Sequence, residues 1–131
     1  MSMDSIANLL AAAKPKDAAA AARVAAAHAV HSAELDNPTV WELRGLWNSR
    51  SEVPTDLVKK LRELANDLSR EVAGGGADAE KAARQETATR ALLAAVDGDV
   101  VGAIDLATSV SGDVAFLEEA VRANLTPDPE V

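Results

Sequence analysis

The sequence predicts an all-α fold, a compact bundle of about six to seven short-to-medium helices. Three observations predict it. Nowhere do polar and apolar residues alternate as they do in a half-buried strand, and the valines fall at helical spacing. Alanine, the best helix former, occurs 29 times in 131 residues. Helix start and stop signals also recur along the chain at intervals suited to short helices.

Seven stretches follow from these signals. Asp4 to Ala13 is a short first helix. The second opens at Pro15, whose missing N–H is harmless in a first turn, and runs through an alanine-rich segment to Leu35. Asn37 caps the third and Pro38 occupies its first position. The fourth, from Pro54 to Val72, carries the best stripe: Leu57, Val58, Leu61, Leu64, Ala65, Leu68 and Val72 lie on one face. Its spacing predicts the spine of the core. The fifth spans about Asp78 to Val96 and stops at Asp97-Gly98. Its large apolar residues, Leu92, Leu93 and Val96, cluster in the last turns, so its first half should be weakly anchored. Asp99 caps the sixth, Val100 to Val110, and Ser111 or Asp113 caps the seventh, which ends near Leu125.

The expected organisation is one helical domain over residues 1–125, followed by a disordered tail at 126–131. Gly74 to Gly76 read as a joint between an N-terminal half, residues 1–73, and a C-terminal half, residues 77–125. So much alanine gives good helices but a thin core, because each alanine buries little area. Part of the stability would then come from a partner or a second copy of the chain.

Charge divides the halves. Residues 1–73 carry 10 acids and 9 bases, net −1, and residues 74–131 carry 11 acids and 4 bases, net −7. An acidic C-terminal face repels phosphate backbones and attracts basic protein surfaces. Asp97, Asp99, Asp105, Glu118 and Glu119 are its candidate docking residues. The absence of cysteine excludes disulfides and thiolate metal sites. The N-terminal apolar stretch has Asp4 before it and no base, which is not the pattern of a secretory signal. No apolar run reaches the roughly 18 residues of a membrane span. A cytoplasmic location is the resulting expectation.

No catalytic or cofactor motif emerges, and the chain is expected not to be an enzyme. His28, His31 and Glu34 are spaced three apart and fan across their helix, which is poor geometry for a metal. Asp97, Asp99, Gly102 and Asp105 match four positions of a calcium loop, but Val101 and Thr108 stand where it needs an oxygen ligand and a bidentate glutamate. The three glycines lack the lysine and the preceding strand of a phosphate loop.

The aromatic residues are few, and both tryptophans fall between Asn37 and Pro54. On a helix starting at Pro38, Val40, Leu43 and Trp47 lie within about 60° of one another. Trp47 is thus expected to anchor the core. Trp41 points elsewhere, beside Arg44 and Gly45: either it packs against a second element of the same chain, or it stays partly exposed as the candidate hot spot for a partner. The functional expectation is a protein–protein interaction module: an adaptor, assembly component or regulator whose partner is a protein, basic if it meets the acidic face. One alternative is an acidic mimic of nucleic acid that blocks a nucleic-acid-binding protein. Another is nucleic-acid binding through Arg44, Arg50, Lys59, Lys60 and Arg62 with the tryptophans, against which the net charge of −8 weighs.

Overall fold

Six helices account for most of the residues described by the computed structural model, which covers 14–49, 51–110 and 114–125. They are α1 (Pro15–Ser32), α2 (Pro38–Asn48), α3 (Thr55–Gly74), α4 (Ala79–Asp97), α5 (Val100–Val110) and α6 (Val114–Leu125). No strand occurs among the described residues, and the all-α expectation holds. The expected helix at Asp4–Ala13, the caps at Ser111 or Asp113 and the tail at 126–131 lie outside the described residues.

Alanine-rich α1 is the hub. It packs against α4, α5 and α6, while α3 lies along α4 and α2 leans on α3. Ala21, Ala22, Ala25, Ala26 and Ala29 are all buried. A helix that must meet three neighbours gains from side chains this small, because they let helix axes approach closely. The larger residues come from around it: Leu43, Leu61, Leu92, Ile104, Leu117, Val40 and Val121 are among the largest fully buried side chains. One hydrophobic cluster contains residues from both sides of Gly74–Gly76, from Ala21 to Val121. Thr89 is the buried polar side chain of the described core, and its hydroxyl donates to the Gln85 carbonyl at 2.9 Å. That bond removes the cost of burying it.

Helix ends are set by local chemistry. The Asn37 side chain accepts from the Thr39 N–H at 2.9 Å, and Asp99 Oδ1 accepts from the Gly102 N–H at 3.0 Å. A Cβ added at Gly102 would collide with the Asp99 carboxylate, so the cap and the glycine belong together. Two helices end in the same paired pattern. Past α4, the Gly98 N–H donates to Ala95 O and the Asp99 N–H to Ala94 O. Past α1, the Glu34 N–H donates to His31 O and the Leu35 N–H to Val30 O. In both, the residue just beyond the helix adopts a positive φ, 82° at Gly98 and 55° at Glu34. This is the Schellman arrangement, and Val30 and Leu35 supply its usual apolar contact within the core. α1 consequently ends at Ser32, short of the expected Leu35, and Glu34 is not on the helix.

Gly98→Ala should therefore destabilise the fold by about 1 kcal/mol, since a Cβ is disfavoured in that conformation. Glu34→Gly should be neutral or stabilising by up to about 1 kcal/mol. The ion pair it removes, Glu34–Lys81 at 3.9 Å, has both side chains largely exposed and contributes little. Paired urea denaturation curves check both signs. Equal effects would mean that backbone conformation does not govern these ends.

The first half of α4 is better anchored than its sparse apolar residues imply. Ala82 is buried, and Arg84 reaches across to two other helices. Its Nη2 donates to Ser32 O and to Val110 O, each at 3.0 Å. Gln85 Nε2 donates to Glu34 O at 3.3 Å. Polar reach, rather than apolar burial, holds this end.

Candidate functional site: an exposed tryptophan beside a cation-flanked groove

Of the α3 stripe, Leu57, Leu61, Ala65 and Leu68 are buried, whereas Val58, Leu64 and Val72 are half-buried at its edges. The stripe is thus core, and it offers no free apolar face for a partner. The exposed large hydrophobic residues among those described are Trp41, at 57%, and Val101, at 58%.

Trp41 is fixed despite its exposure. Its indole Nε1 donates to Asp36 Oδ1 at 2.6 Å. The Arg44 guanidinium carbon lies 5.4 Å from the ring centroid, a cation–π distance. Asp36 comes from the connector just before the Asn37 cap, and Arg44 from one helical turn further along α2. The short α1–α2 connection and the helix period together produce this Asp–Trp–Arg arrangement. Sequence spacing marked Trp41 and Arg44, but not Asp36, whose role depends on where α1 stops.

Trp47 departs from its expected place. Val40 and Leu43 are buried, but Trp47 is only partly so and packs against the edge of the core. Its other side lines a groove over α1. Lys16, Ala20, Arg23, Val24 and Ala27 form the α1 wall of this groove, and Arg44, Trp47 and Asn48 the α2 wall. It continues into an adjoining cavity of 450 Å³ bounded by Ser51, Glu52, Val53, Ala95 and Val96. Three bases, Lys16, Arg23 and Arg44, flank the groove against one acid, Glu52. Among the described residues, a concave surface with more bases than acids therefore lies around Trp47 in a chain of net charge −8. The α1 residues fall at positions 16, 20, 23, 24 and 27, one helical stripe, but alanines make such a stripe hard to read as a wall.

The acidic candidates lie on other helices. Asp97, Asp99, Asp105 and Glu119 are exposed, on α4, at the α4–α5 junction, on α5 and on α6. The side chain of Glu118, on α6, is outside the described residues. Asp99 is already engaged as the α5 cap. The histidines do not form a ligand set with Glu34: His28 is half-buried and within 3.4 Å of the Ser32 hydroxyl, and His31 is exposed. Among the described residues, no three His, Cys, Asp or Glu side chains converge as a metal site would require. No helix among them is long and apolar enough to cross a membrane. Comparison with protein-family models, curated proteins and solved structures finds no match to this chain.

Proposed function

We propose that this chain is a non-enzymatic protein-binding module that docks its partner through Trp41 and Arg44 on α2. The observation that carries the reading is an indole left 57% exposed yet held in place from two sides, by Asp36 and by Arg44. A fixed aromatic ring loses little freedom on binding, and tryptophan and arginine are the residues most often found at the energetic centre of an interface. Gly45 adjoins it with open space where a Cβ would stand, so a partner can approach the helix backbone closely.

Affinity capture with the intact chain as bait, followed by titration of the purified partner, tests this reading. Trp41→Ala should weaken the complex at least tenfold, about 1.4 kcal/mol, with the helical circular dichroism unchanged. A partner whose affinity is indifferent to Trp41→Ala would end it.

The acidic C-terminal half supports a second reading, docking of a basic protein surface, because Asp97, Asp105 and Glu119 are all exposed. In that case neutralising these three should weaken the complex, and added salt should do the same. Docking through Trp41 should respond far less to salt.

A further inference from the structure

We propose that the groove over α1 receives the outer face of α5 from a second copy of the chain, so that copies join head to tail. This goes beyond docking at Trp41. It rests on the second reading only in taking the acidic half as a docking surface, and it names the basic surface as the chain's own. The occupant follows from α5. The inner face of that helix, Ala103, Ile104, Ala107 and Val110, is buried in its own fold. Its outer face carries Val101, Asp105 and Ser109, spaced four apart and all exposed. Val101 and Trp41 are the exposed large hydrophobic residues among those described. From Asp97 to Val110 the chain has three acids, Asp97, Asp99 and Asp105, and no base. The outer face of α5 is therefore an apolar side chain set among carboxylates.

The groove is its complement. Ala20, Val24, Ala27 and Trp47 supply apolar surface, and Lys16, Arg23 and Arg44 flank it. Glu52 lines the adjoining cavity rather than the groove along α1. The small alanines let the axis of a second helix come close, with Val101 against the Trp47 ring. The dimensions agree. From Lys16 to Ala27 the α1 wall runs about 16 Å, and the 11 residues of α5 span about 16 Å. Lys16 and Arg23 stand about 10 Å apart along their axis, and the cap Asp99 and Asp105 about 9 Å apart along theirs. Repulsion between two chains of net charge −8 is screened beyond about 8 Å at physiological salt, so the local pairing decides. Groove and α5 face are different surfaces of one chain. The contact is thus heterologous, and each added copy presents a new groove or a new face to the next.

Sedimentation velocity of the purified full-length chain tests this, at physiological salt and from about 10 μM to about 1 mM, the range of weak contacts. The sedimentation coefficient of the wild type should rise with concentration. Asp105→Arg reverses the α5 face and Arg23→Glu reverses the groove. Both residues are exposed, so the fold should survive, and circular dichroism confirms it. Lys16→Glu replaces Arg23→Glu if that variant is not folded. Each variant alone should associate more weakly by about tenfold or more, because like charges then face each other. Mixing the two should restore association, since the intact groove of one meets the intact face of the other. Trp41→Ala should leave self-association unchanged, and Arg44, which both sites touch, is kept. No foreign partner takes part, so the outcome is separate from both readings of the docking role. A wild type that stays monomeric throughout would overturn the proposal. So would variants that associate as the wild type does, a mixture that fails to recover, or loss of association on Trp41→Ala, which would move the contact to the exposed indole.

Discussion

Leu61→Ala is expected to destabilise the fold by about 3–5 kcal/mol, the upper range for a truncated buried leucine. Leu61 is completely buried, and its helix lies along α4, so the lost side chain leaves a cavity that two rigid helices cannot easily close. The effect is large relative to the whole. Domains of this size are stable by about 5–15 kcal/mol, and with 29 alanines this one has few other large side chains to compensate. Leu64, one turn along the same stripe, is only half-buried and should lose about 1 kcal/mol on the same substitution. Urea denaturation, with the midpoint and slope compared for both variants, separates them. Equal losses at the two positions would mean that the face of α3 in the core has been misassigned.

The contrast between Leu61 and Leu64 shows what was legible in the sequence. On α3 the apolar residues are large and the other face is charged, so periodicity reveals the buried side to within one edge row. The caps at Asn37 and Asp99 and the stop at Gly98 were legible for a similar reason: each depends on bonds within a few residues. α1 was legible as a helix but not as a hub. Alanine occupies its buried and half-buried positions alike, and a stripe of alanine carries almost no hydrophobic contrast. The groove along Ala20, Val24 and Ala27 was hidden with it, and so was the partial exposure of Trp47, which depends on how α2 is set against α1. The end of α1 was misread because Glu34 takes a backbone conformation that usually goes to glycine. Packing of Val30 and Leu35 in the core outweighs that local preference. Of the candidate site, Trp41 and Arg44 could be found by helical angle alone. Their fixed geometry could not, since it needs Asp36 on a connector that begins after Ser32 rather than after the expected Leu35.

Arg84 shows how far a single side chain can escape a local reading. Its carbonyl acceptors lie 52 and 26 residues away in sequence, at Ser32 and Val110. These are the last residues of α1 and α5, where carbonyls lack helical partners and the helix dipoles are negative. One guanidinium thus closes two helix ends and ties them to the first half of α4. Arg84→Met preserves most of the aliphatic stem and removes the charge and both hydrogen bonds. It should cost about 1–2 kcal/mol, below the full value for two charged hydrogen bonds because water can reach the Ser32 side. Arg84→Lys should recover only part, since an ammonium lacks the planar fork. The loss should also be local: hydrogen exchange should speed up in the last turns of α1 and α5 and the first turns of α4 before it does in α3. A loss below a few tenths of a kcal/mol, or exchange that rises uniformly, would show that these contacts follow from the packing of α4 rather than hold it.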